Sequence, residues 1–182
     1  MKRIVSTCMI VGVAMFLVAG CSTAPKSAEG RVELNTKVQN AKENAVKSDP
    51  GLKKFFDESA GYAVFPTVGK GAIGVGGAYG RGELYEGGQL EGYCTLTQAS
   101  IGLALGGQAY TELIFFETKA ALDRFKSGNF AFAAQASAVA LKSGASANAK
   151  YTDGVAVFTM GESGLMYEAS VGGQKFSYRP KQ

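Results

Sequence analysis

The spacing of hydrophobic residues changes once along this chain, at Gly61. Before that glycine, apolar residues recur three or four positions apart, as they do on one face of an α-helix. This stripe consists of Leu34, Val38, Ala41 and Ala45. A second short helix is predicted to follow, with Asp49 as its N-cap and Pro50 as its first residue. The N-terminal part of the chain is therefore predicted to be helical.

Beyond Gly61, apolar and polar residues mostly alternate, which is the period of a β-strand. The predicted strands are 62–65, 72–79, 83–85, 90–98, 100–108, 111–116, 155–160, 165–171 and 174–178. Gly87-Gly88 is a hairpin signal between two of them, and 118–127 is predicted to form an internal helix. This order predicts an α+β fold: a strongly coiled, mostly antiparallel sheet with N-terminal helices packed on it and one internal helix.

The segment 129–141 fits two kinds of secondary structure. Its many alanines favour a helix, whereas Phe130, Phe132 and the alanines that follow alternate as they would in a strand. We predict a strand here, with a helix as the alternative.

The start of the chain follows the pattern of a secretory signal. Lys2 and Arg3 precede an apolar run from 4 to 19, and small residues then lead directly into Cys21. Small residues before a cysteine resemble the lipobox of bacterial lipoproteins, which implies cleavage before Cys21 and lipid on its sulfur and its new amino group. The alternative is an uncleaved membrane anchor, but the run is shorter than the roughly 20 residues of a spanning helix.

The predicted lipobox divides the chain into three parts and places the protein at a membrane. We expect a lipoprotein signal peptide at 1–20, a lipidated cysteine with a flexible tether at 21–30, and a single domain at 31–182. By resemblance to sorted lipoproteins, Ser22 after the cysteine favours the outer membrane. The anchor would hold the protein on the periplasmic face of that membrane.

Composition excludes several kinds of function. The formal net charge is +4 and falls to +2 without Lys2 and Arg3, which is too weak to indicate a nucleic-acid partner. The chain has no histidine, so Ser-His and Cys-His relays are excluded and the commonest transition-metal ligand is missing. We expect no cofactor, no metal site and no enzymatic activity.

Two kinds of catalytic group remain possible, a pair of carboxylates and one thiol. A catalytic pair of glutamates would have to come from Glu83, Glu86, Glu91 and Glu112. Glutamates beside hairpin turns are more typical of a solvated surface than of catalysis. Cys94 is the thiol that remains once Cys8 and Cys21 are removed or lipidated. We predict that it is a small buried residue, with a reactive thiol as the alternative.

Several spaced segments of the strand region resemble the SYLF domain family. They are 61–71 (GYAVFPTVGKG), 76–82 (GGAYGRG), 96–102 (LTQASIG), 106–108 (GGQ), 112–116 (ELIFF), 134–140, 151–154 and 161–168. The resemblance covers about residues 33–178 and is nearest to the secreted bacterial branch. Eukaryotic members of this family bind phosphoinositide membranes, and the yeast members bind and bundle actin. In a bacterial envelope, the resemblance implies binding to anionic lipid headgroups.

Basic residues are the candidates for contacting such headgroups. Those in the helical part are Arg31, Lys37, Lys42, Lys47, Lys53 and Lys54. A helix with lysines on one face can lie at a membrane interface. Lys70, where the family pattern also has a lysine, and Arg81 are predicted to lie in glycine-flanked turns that admit a phosphate close to the backbone. The alternative is that all of these are ordinary solubilising charges among neighbouring acids.

The predicted function is that of a lipid-anchored, non-enzymatic envelope protein that binds anionic phospholipid or phosphoinositide-type membranes. Its partners would be the membrane that holds the anchor and the headgroups that the lysines contact. The alternative is a protein-interaction module, with actin or an envelope protein as its partner.

Overall fold

The computed structural model describes residues 23–73, 75–101, 106–128, 130–132, 137–161, 169–170 and 173–181. The helices in these residues are α1 (Ala28–Ser48), α2 (Leu52–Glu58) and α3 (Lys119–Lys126), with a 3-10 helix at Ala145–Asn148. The strands are β1 (Gly61–Ile73), β2 (Val75–Glu86), β3 (Gln89–Ile101), β4 (Gly106–Phe116), β5 (Ser137–Ala140), β6 (Val155–Gly161), β7 (Ala169–Ser170) and β8 (Gln174–Pro180). The predicted signal peptide and Cys21 lie outside the described residues.

Helix α1 carries the hydrophobic stripe predicted from the sequence. Its buried residues are Leu34, Val38, Ala41 and Ala45. The helix begins at Ala28 because the side chain of Ser27 accepts a hydrogen bond from the backbone N–H of Gly30, 3.0 Å away, and so caps the first turn. The last residues of the segment predicted as a flexible tether, 28–30, are therefore helical.

The prediction that Asp49 is the N-cap of the second helix is wrong. The backbone N–H of Asp49 bonds to the carbonyl oxygen of Ala45, so Asp49 is the C-cap of α1, and α2 begins only at Leu52. The buried carboxylate of Asp49 accepts hydrogen bonds from the backbone N–H groups of Gly51 at 3.1 Å and Ser146 at 2.6 Å. Asp49 therefore joins the α1–α2 corner to the 3-10 helix.

The strands form one sheet in the order β7-β5-β6-β4-β1-β2-β3-β8. Neighbouring strands in this order are antiparallel except for β5 and β6, which are parallel. The predicted α+β class with a mostly antiparallel sheet is confirmed. The segment 118–127 forms the predicted helix, α3, and its inward residues Ala121, Leu122 and Phe125 are buried.

The sheet is strongly coiled, as predicted, and it is not closed. At one edge, Ala131 bridges to Lys175 of β8, and Phe132 accepts a hydrogen bond from the backbone N–H of Gly173. At the other edge, β5 begins at Ser137 and lies beside β6. Ser137 is five positions after Phe132, a reach of at most about 18 Å, so the two edges curl towards each other.

Two strand predictions extend over residues that the structure describes only in part. In 129–141 the strand prediction is confirmed at β5 and at the bridge of Ala131, while 129 and 133–136 lie outside the described residues. In 165–171 the described residues are 169–170, which form β7.

The chain reverses direction inside two segments that were each predicted to be one strand. Antiparallel β1 and β2 meet within 72–79, where Ile73 lies opposite Val75. Within 100–108, β3 ends at Ile101 and β4 begins at Gly106. Both segments are uncharged and rich in glycine, so the alternation of residue types continues through the reversal and gives no turn signal.

The predicted strand 62–65 ends directly before Pro66, but β1 continues through this proline. The strand has one extra residue there, because the register shifts between Val64 and Thr67 against β2 and between Phe65 and Val68 against β4. A bulge tolerates proline in a strand interior, since the missing N–H is not needed for the ladder.

Hydrophobic cores cover both faces of the sheet. On one face, Val38 of α1 and Leu52 of α2 pack in a cluster with Phe158. On the other face, Phe125 of α3 packs in a second cluster with Phe176 of β8. The N-terminal helices thus lie on the sheet as predicted. Within the described ranges, no helix is long and apolar enough to cross a membrane.

Candidate functional site

An open groove runs between α1 and the sheet, above the bulge of β1. It has two adjoining parts of about 610 Å³ and about 330 Å³, which share Lys37, Pro66 and Thr67. The larger part is also lined by Asn40, Ala41, Asn44, Lys47, Ser48, Thr111, Met160 and Gly161. The smaller part is also lined by Pro25, Gly30, Glu33, Leu34, Tyr79, Gly80 and Arg81. We call this surface the α1 groove.

One wall of the α1 groove is the polar face of α1. Lys37, Asn40, Asn44 and Lys47 recur three or four positions apart, so they lie along one side of the helix next to its buried stripe. The opposite wall is the bulge of β1. The hydroxyl group of Thr111 donates a hydrogen bond to the carbonyl oxygen of Pro66 at 2.8 Å and holds the bulge against β4. The groove therefore exists because the helix face is polar and the strand is irregular.

Three of the predicted basic residues line this groove: Lys37 lines both parts, Lys47 the larger part and Arg81 the smaller part. Lys47 is exposed and forms no salt bridge with any residue in the described part of the chain. Lys37 forms a salt bridge with Glu33 at 2.7 Å, but both side chains are more than half exposed, so the pair contributes little and can open to another anion. Arg81 donates a hydrogen bond to the hydroxyl oxygen of Tyr79 at 3.3 Å. The groove can therefore present three cationic side chains to an anionic ligand.

Lys42 was also predicted to contact headgroups, but it lies in the packed interface between α1 and the sheet. Its Nζ donates a hydrogen bond to the hydroxyl oxygen of Tyr62 at 2.9 Å. The same atom is 5.0 Å from the centre of the Tyr62 ring and 4.8 Å from the centre of the Tyr85 ring. Such contacts between a cation and aromatic faces are attractive, so Lys42 helps to hold α1 on the sheet.

Lys53 and Lys54 lie on α2, away from the α1 groove. Lys53 forms a salt bridge with Asp57 at 2.6 Å, and Lys54 forms one with Glu58 at 3.9 Å. All four side chains are more than half exposed, so these are ordinary surface pairs within one helix. Nothing in their placement joins them to the groove.

The prediction that Lys70 and Arg81 lie in glycine-flanked turns is wrong. Both lie inside strands: Lys70 pairs with Ala78 of β2, and Arg81 pairs with Thr67 of β1. Side chains two positions apart share a face of a strand. Lys70 therefore shares the face of Val68, which packs in the core opposite α1, whereas Arg81 lines the groove beside α1.

Some groove residues were missed by the sequence analysis. Asn40 and Asn44 carry no charge and were not considered, although they lie at helical spacing from the predicted Lys37 and Lys47. Thr67 was missed because the predicted strand ends at residue 65, and Thr111 was missed because its contact with the bulge at Pro66 depends on that strand continuing. A proline inside an alternating segment is the signal that could have indicated a bulge.

Two of the glutamates predicted to be solvated, Glu83 and Glu112, are fully buried. Glu83 accepts hydrogen bonds from the hydroxyl of Tyr85 at 2.6 Å and from the side-chain amide of Asn35 in α1 at 3.0 Å. Burial raises the pKa of Glu83, while these two hydrogen bonds lower it. The carboxylate thus lies on the face of the sheet that α1 covers and helps to hold α1 there.

Glu112 lies on the opposite face of the sheet, next to Tyr110. Its carboxyl oxygen accepts a hydrogen bond from the side-chain amide of Gln174 at 2.9 Å, which joins β4 to β8 across the coiled sheet. Burial raises the pKa of Glu112 to about 8, and the bond from Gln174 lowers it. Since Glu83 and Glu112 lie on different faces, they do not form the paired carboxylates that catalysis would need.

The other residues considered for catalysis are Glu86, Glu91 and Cys94. Glu86 and Glu91 form salt bridges with Lys126. Cys94 is buried, as predicted, and burial raises the pKa of its thiol well above the usual value. Among the residues that the structure describes, no group of three or more acidic or cysteine side chains is arranged to hold a metal ion.

Comparison with known proteins identifies the family. Residues 97–182 match the family model described as Ysc84, Las17-binding protein actin regulator. The chain is 32% identical over 162 residues to Beta cell expansion factor A from Aeromonas veronii, an alignment that covers 84% of this chain and 59% of that protein. The chain thus spans about three fifths of the length of this curated relative. The chain belongs to the Ysc84, or SYLF, domain family, a family of binding domains.

Proposed function

We propose that this protein is a lipid-anchored envelope protein that binds anionic membranes through the α1 groove and has no enzymatic activity. The observation that carries the proposal is that Lys37, Lys47 and Arg81 line the two adjoining parts of one open groove. Membership of a family of binding domains supports a binding role. The lipid anchor and the groove would act together, because an anchored protein meets headgroups at a high effective concentration.

The chemistry of the groove suits a phosphate-bearing headgroup. Arg81 offers a planar fork of N–H donors, and Lys47 offers an exposed point charge. The side chains of Asn40 and Asn44 lie between the two lysines and can donate hydrogen bonds to phosphate or hydroxyl oxygens. Lys37 can exchange its exposed partner Glu33 for the headgroup at little cost.

Vesicle flotation tests the groove directly. The test uses residues 22–182, which contain every described residue, and vesicles with and without an anionic phospholipid. Because each basic residue near an anionic surface contributes about 1 kcal/mol, Lys47→Ala with Arg81→Ala is expected to weaken binding to anionic vesicles by about tenfold or more.

The control is Lys53→Ala with Lys54→Ala, which changes the net charge equally on a part of the surface outside the groove. We expect this control to weaken binding by less than about threefold and only through long-range attraction. Equal losses in both double variants would show that binding follows net charge and that the α1 groove is not the site.

The anchor is a separate part of the proposal. We propose that Cys21 carries the lipid and holds the protein on the periplasmic face of the outer membrane. Cys21→Ala is expected to abolish labelling by radioactive palmitate and to release the protein from the membrane fraction. Labelling that persists in this variant would show that the lipid is attached elsewhere.

The second candidate function is a protein-interaction module. The observation that favours it is the description of the matching family, which names a Las17-binding protein and actin regulator. In that case residues 22–182 would co-sediment with actin filaments or with an envelope protein and would not float with anionic vesicles. The α1 groove would then bind an acidic segment of a protein.

A further inference from the structure

The segment before α1 is packed onto the domain. Pro25 is buried, and Thr23 and Ala24 are partly buried. Ala24 packs against the core cluster beneath α1, and the carbonyl oxygen of Pro25 accepts a hydrogen bond from Arg31 at 3.4 Å. We call residues 23–25 the docked segment. Since 28–30 belong to α1, the tether predicted over 21–30 is reduced to the two residues that precede the docked segment.

The docked segment forms part of the α1 groove. Pro25 lines the smaller part together with Lys37, Tyr79 and Arg81. Cys21 is four residues before Pro25, a reach of at most about 14 Å. A lipid on Cys21 would therefore enter its membrane beside the two cations of the smaller part, within about two Debye lengths at physiological salt.

The charge of the two faces of the sheet points to the same side. The described lining of the α1 groove includes Lys37, Lys47 and Arg81 against one acid, Glu33. On the opposite face, the lysines of α3 form salt bridges with Glu86. The positive charge that complements an anionic leaflet is therefore on the side where the lipid would enter.

We propose that the docked segment holds the α1 groove against the leaflet that carries the lipid of Cys21, so that the groove binds anionic headgroups of that leaflet and not of a facing membrane. This inference rests on the proposed function and names the leaflet that the groove binds.

The dimensions of the domain support this restriction. A domain of this length has a radius of gyration of about 15 Å, so its body keeps a facing membrane farther from the groove than the reach of about 14 Å that joins Pro25 to Cys21. Headgroups of the anchoring leaflet are present at a high effective concentration. A connection that cannot span the distance to a second surface gives an effective concentration near zero there.

Vesicle aggregation tests which leaflet the groove can reach. Residues 21–182 are coupled through Cys21 to a maleimide phospholipid, because Cys94 is buried and does not compete. The product is placed in phosphatidylcholine vesicles and mixed with vesicles of equal parts phosphatidylcholine and phosphatidylglycerol. The parent is expected not to aggregate the two populations. A variant with a Gly/Ser linker between Ser22 and Thr23, long enough for a mean end-to-end distance of about 30 Å, should aggregate them at least about ten times faster.

Two control variants assign the effect. The same linker added after Gln182 leaves the connection at Cys21 unchanged, so this variant should behave like the parent. Lys47→Ala with Arg81→Ala in the variant with the linker at Thr23 should abolish aggregation, because the groove makes the contact with the facing vesicle.

A change of the anchoring vesicle tests binding to the same leaflet. When the variant with the linker at Thr23 is anchored in vesicles of equal parts phosphatidylcholine and phosphatidylglycerol, its own leaflet offers headgroups to the groove at high effective concentration. We expect most of the aggregation to be lost. Undiminished aggregation would overturn the inference, because the groove would then not favour its own leaflet.

The inference and the proposed function fail in different ways. Equal aggregation by the parent and by the variant with the linker at Thr23 would overturn the inference and leave the groove proposal standing. If that variant fails to aggregate vesicles with which unlipidated residues 22–182 do float, the inference is also overturned, because the short connection is then not what restrains the groove. If residues 22–182 do not float with anionic vesicles, the proposed function fails and the inference fails with it.

Discussion

Glutamine in place of Glu112 is expected to abolish most of the loss of stability that the parent protein undergoes between about pH 5 and about pH 9. The carboxyl group of Glu112 is fully buried, and burial raises its pKa from 4.5 to about 8. Over most of this range the folded protein therefore holds a proton on Glu112 that the unfolded chain has released.

The direction of the effect follows from the raised pKa. The stabilising contribution of the neutral carboxyl is complete below about pH 4.5, decreases as the pH rises, and is lost above about pH 8. The interval from 4.5 to about 8 corresponds to about 5 kcal/mol of unfolding free energy. Tyr110 faces the same site, and burial raises the pKa of its hydroxyl, so it stays neutral in this range. Gln174 does not titrate.

Urea unfolding of the parent and of Glu112→Gln at several pH values measures this contribution. The amide keeps the shape of the carboxyl and still accepts the hydrogen bond from Gln174, so the two proteins should differ little at about pH 5 and by several kcal/mol at about pH 9. Glu83→Gln is the control, because hydrogen bonds from Tyr85 and Asn35 lower the pKa that burial raises and the effect should be smaller. Parallel profiles for parent and Glu112→Gln would contradict a neutral carboxyl in the folded state.

The helices could be predicted from the sequence because their signals are local. The stripe that begins at Leu34 lies on one face of α1, and Thr118 caps α3 just where polar residues precede an apolar pattern. Asp49 shows the limit of this reasoning. It has the composition of an N-cap, but its carboxylate bonds to Ser146, which is distant in sequence.

The sequence predicted a mostly antiparallel sheet correctly, but it misplaced two of the points where the chain reverses direction. The turn at Gly87-Gly88 was predicted correctly. Both residues have positive φ, of 57° and 77°, a conformation that glycine adopts readily, so the glycine pair marks the turn in the sequence. At Ile73 and Ile101 the pattern of small and apolar residues continues across the reversal, so periodicity alone could not locate it. Turn prediction depends on residues that interrupt a pattern, and here nothing interrupts it.

The site was predicted by residue type but not by arrangement. Lys37, Lys47 and Arg81 come together because a bulge at Pro66 lies beneath the polar face of α1, and strand register cannot be read from charge. The burial of Glu112 was missed for a related reason. Its partner Gln174 lies in the last strand, and only the coiling of the sheet brings the two together.

The close approach of β1 and β2 leads to a prediction about Gly82. Alanine in place of Gly82 is expected to destabilise the protein by about 3 kcal/mol or more, at the upper end of the cost of overpacking a core. A Cβ atom at this position would overlap the carbonyl oxygen of Val64 and would lie 2.8 Å from Cδ1 of Phe65. The first of these neighbours is backbone of the adjacent strand, so β1 and β2 would have to move apart to make room.

Gly69→Ala is the matched control, because it makes the same change in the same pair of strands. A Cβ atom at Gly69 would come no nearer than 4.0 Å to the carbonyl oxygen of Tyr79, so this variant should be as stable as the parent or slightly more stable. Urea unfolding of both variants measures the difference. Equal stability of Gly82→Ala and Gly69→Ala would mean that the strands separate at no cost. A large difference would assign the glycine at 82 to the close approach of β1 and β2 and would leave Gly69 as a position where a side chain is simply not required.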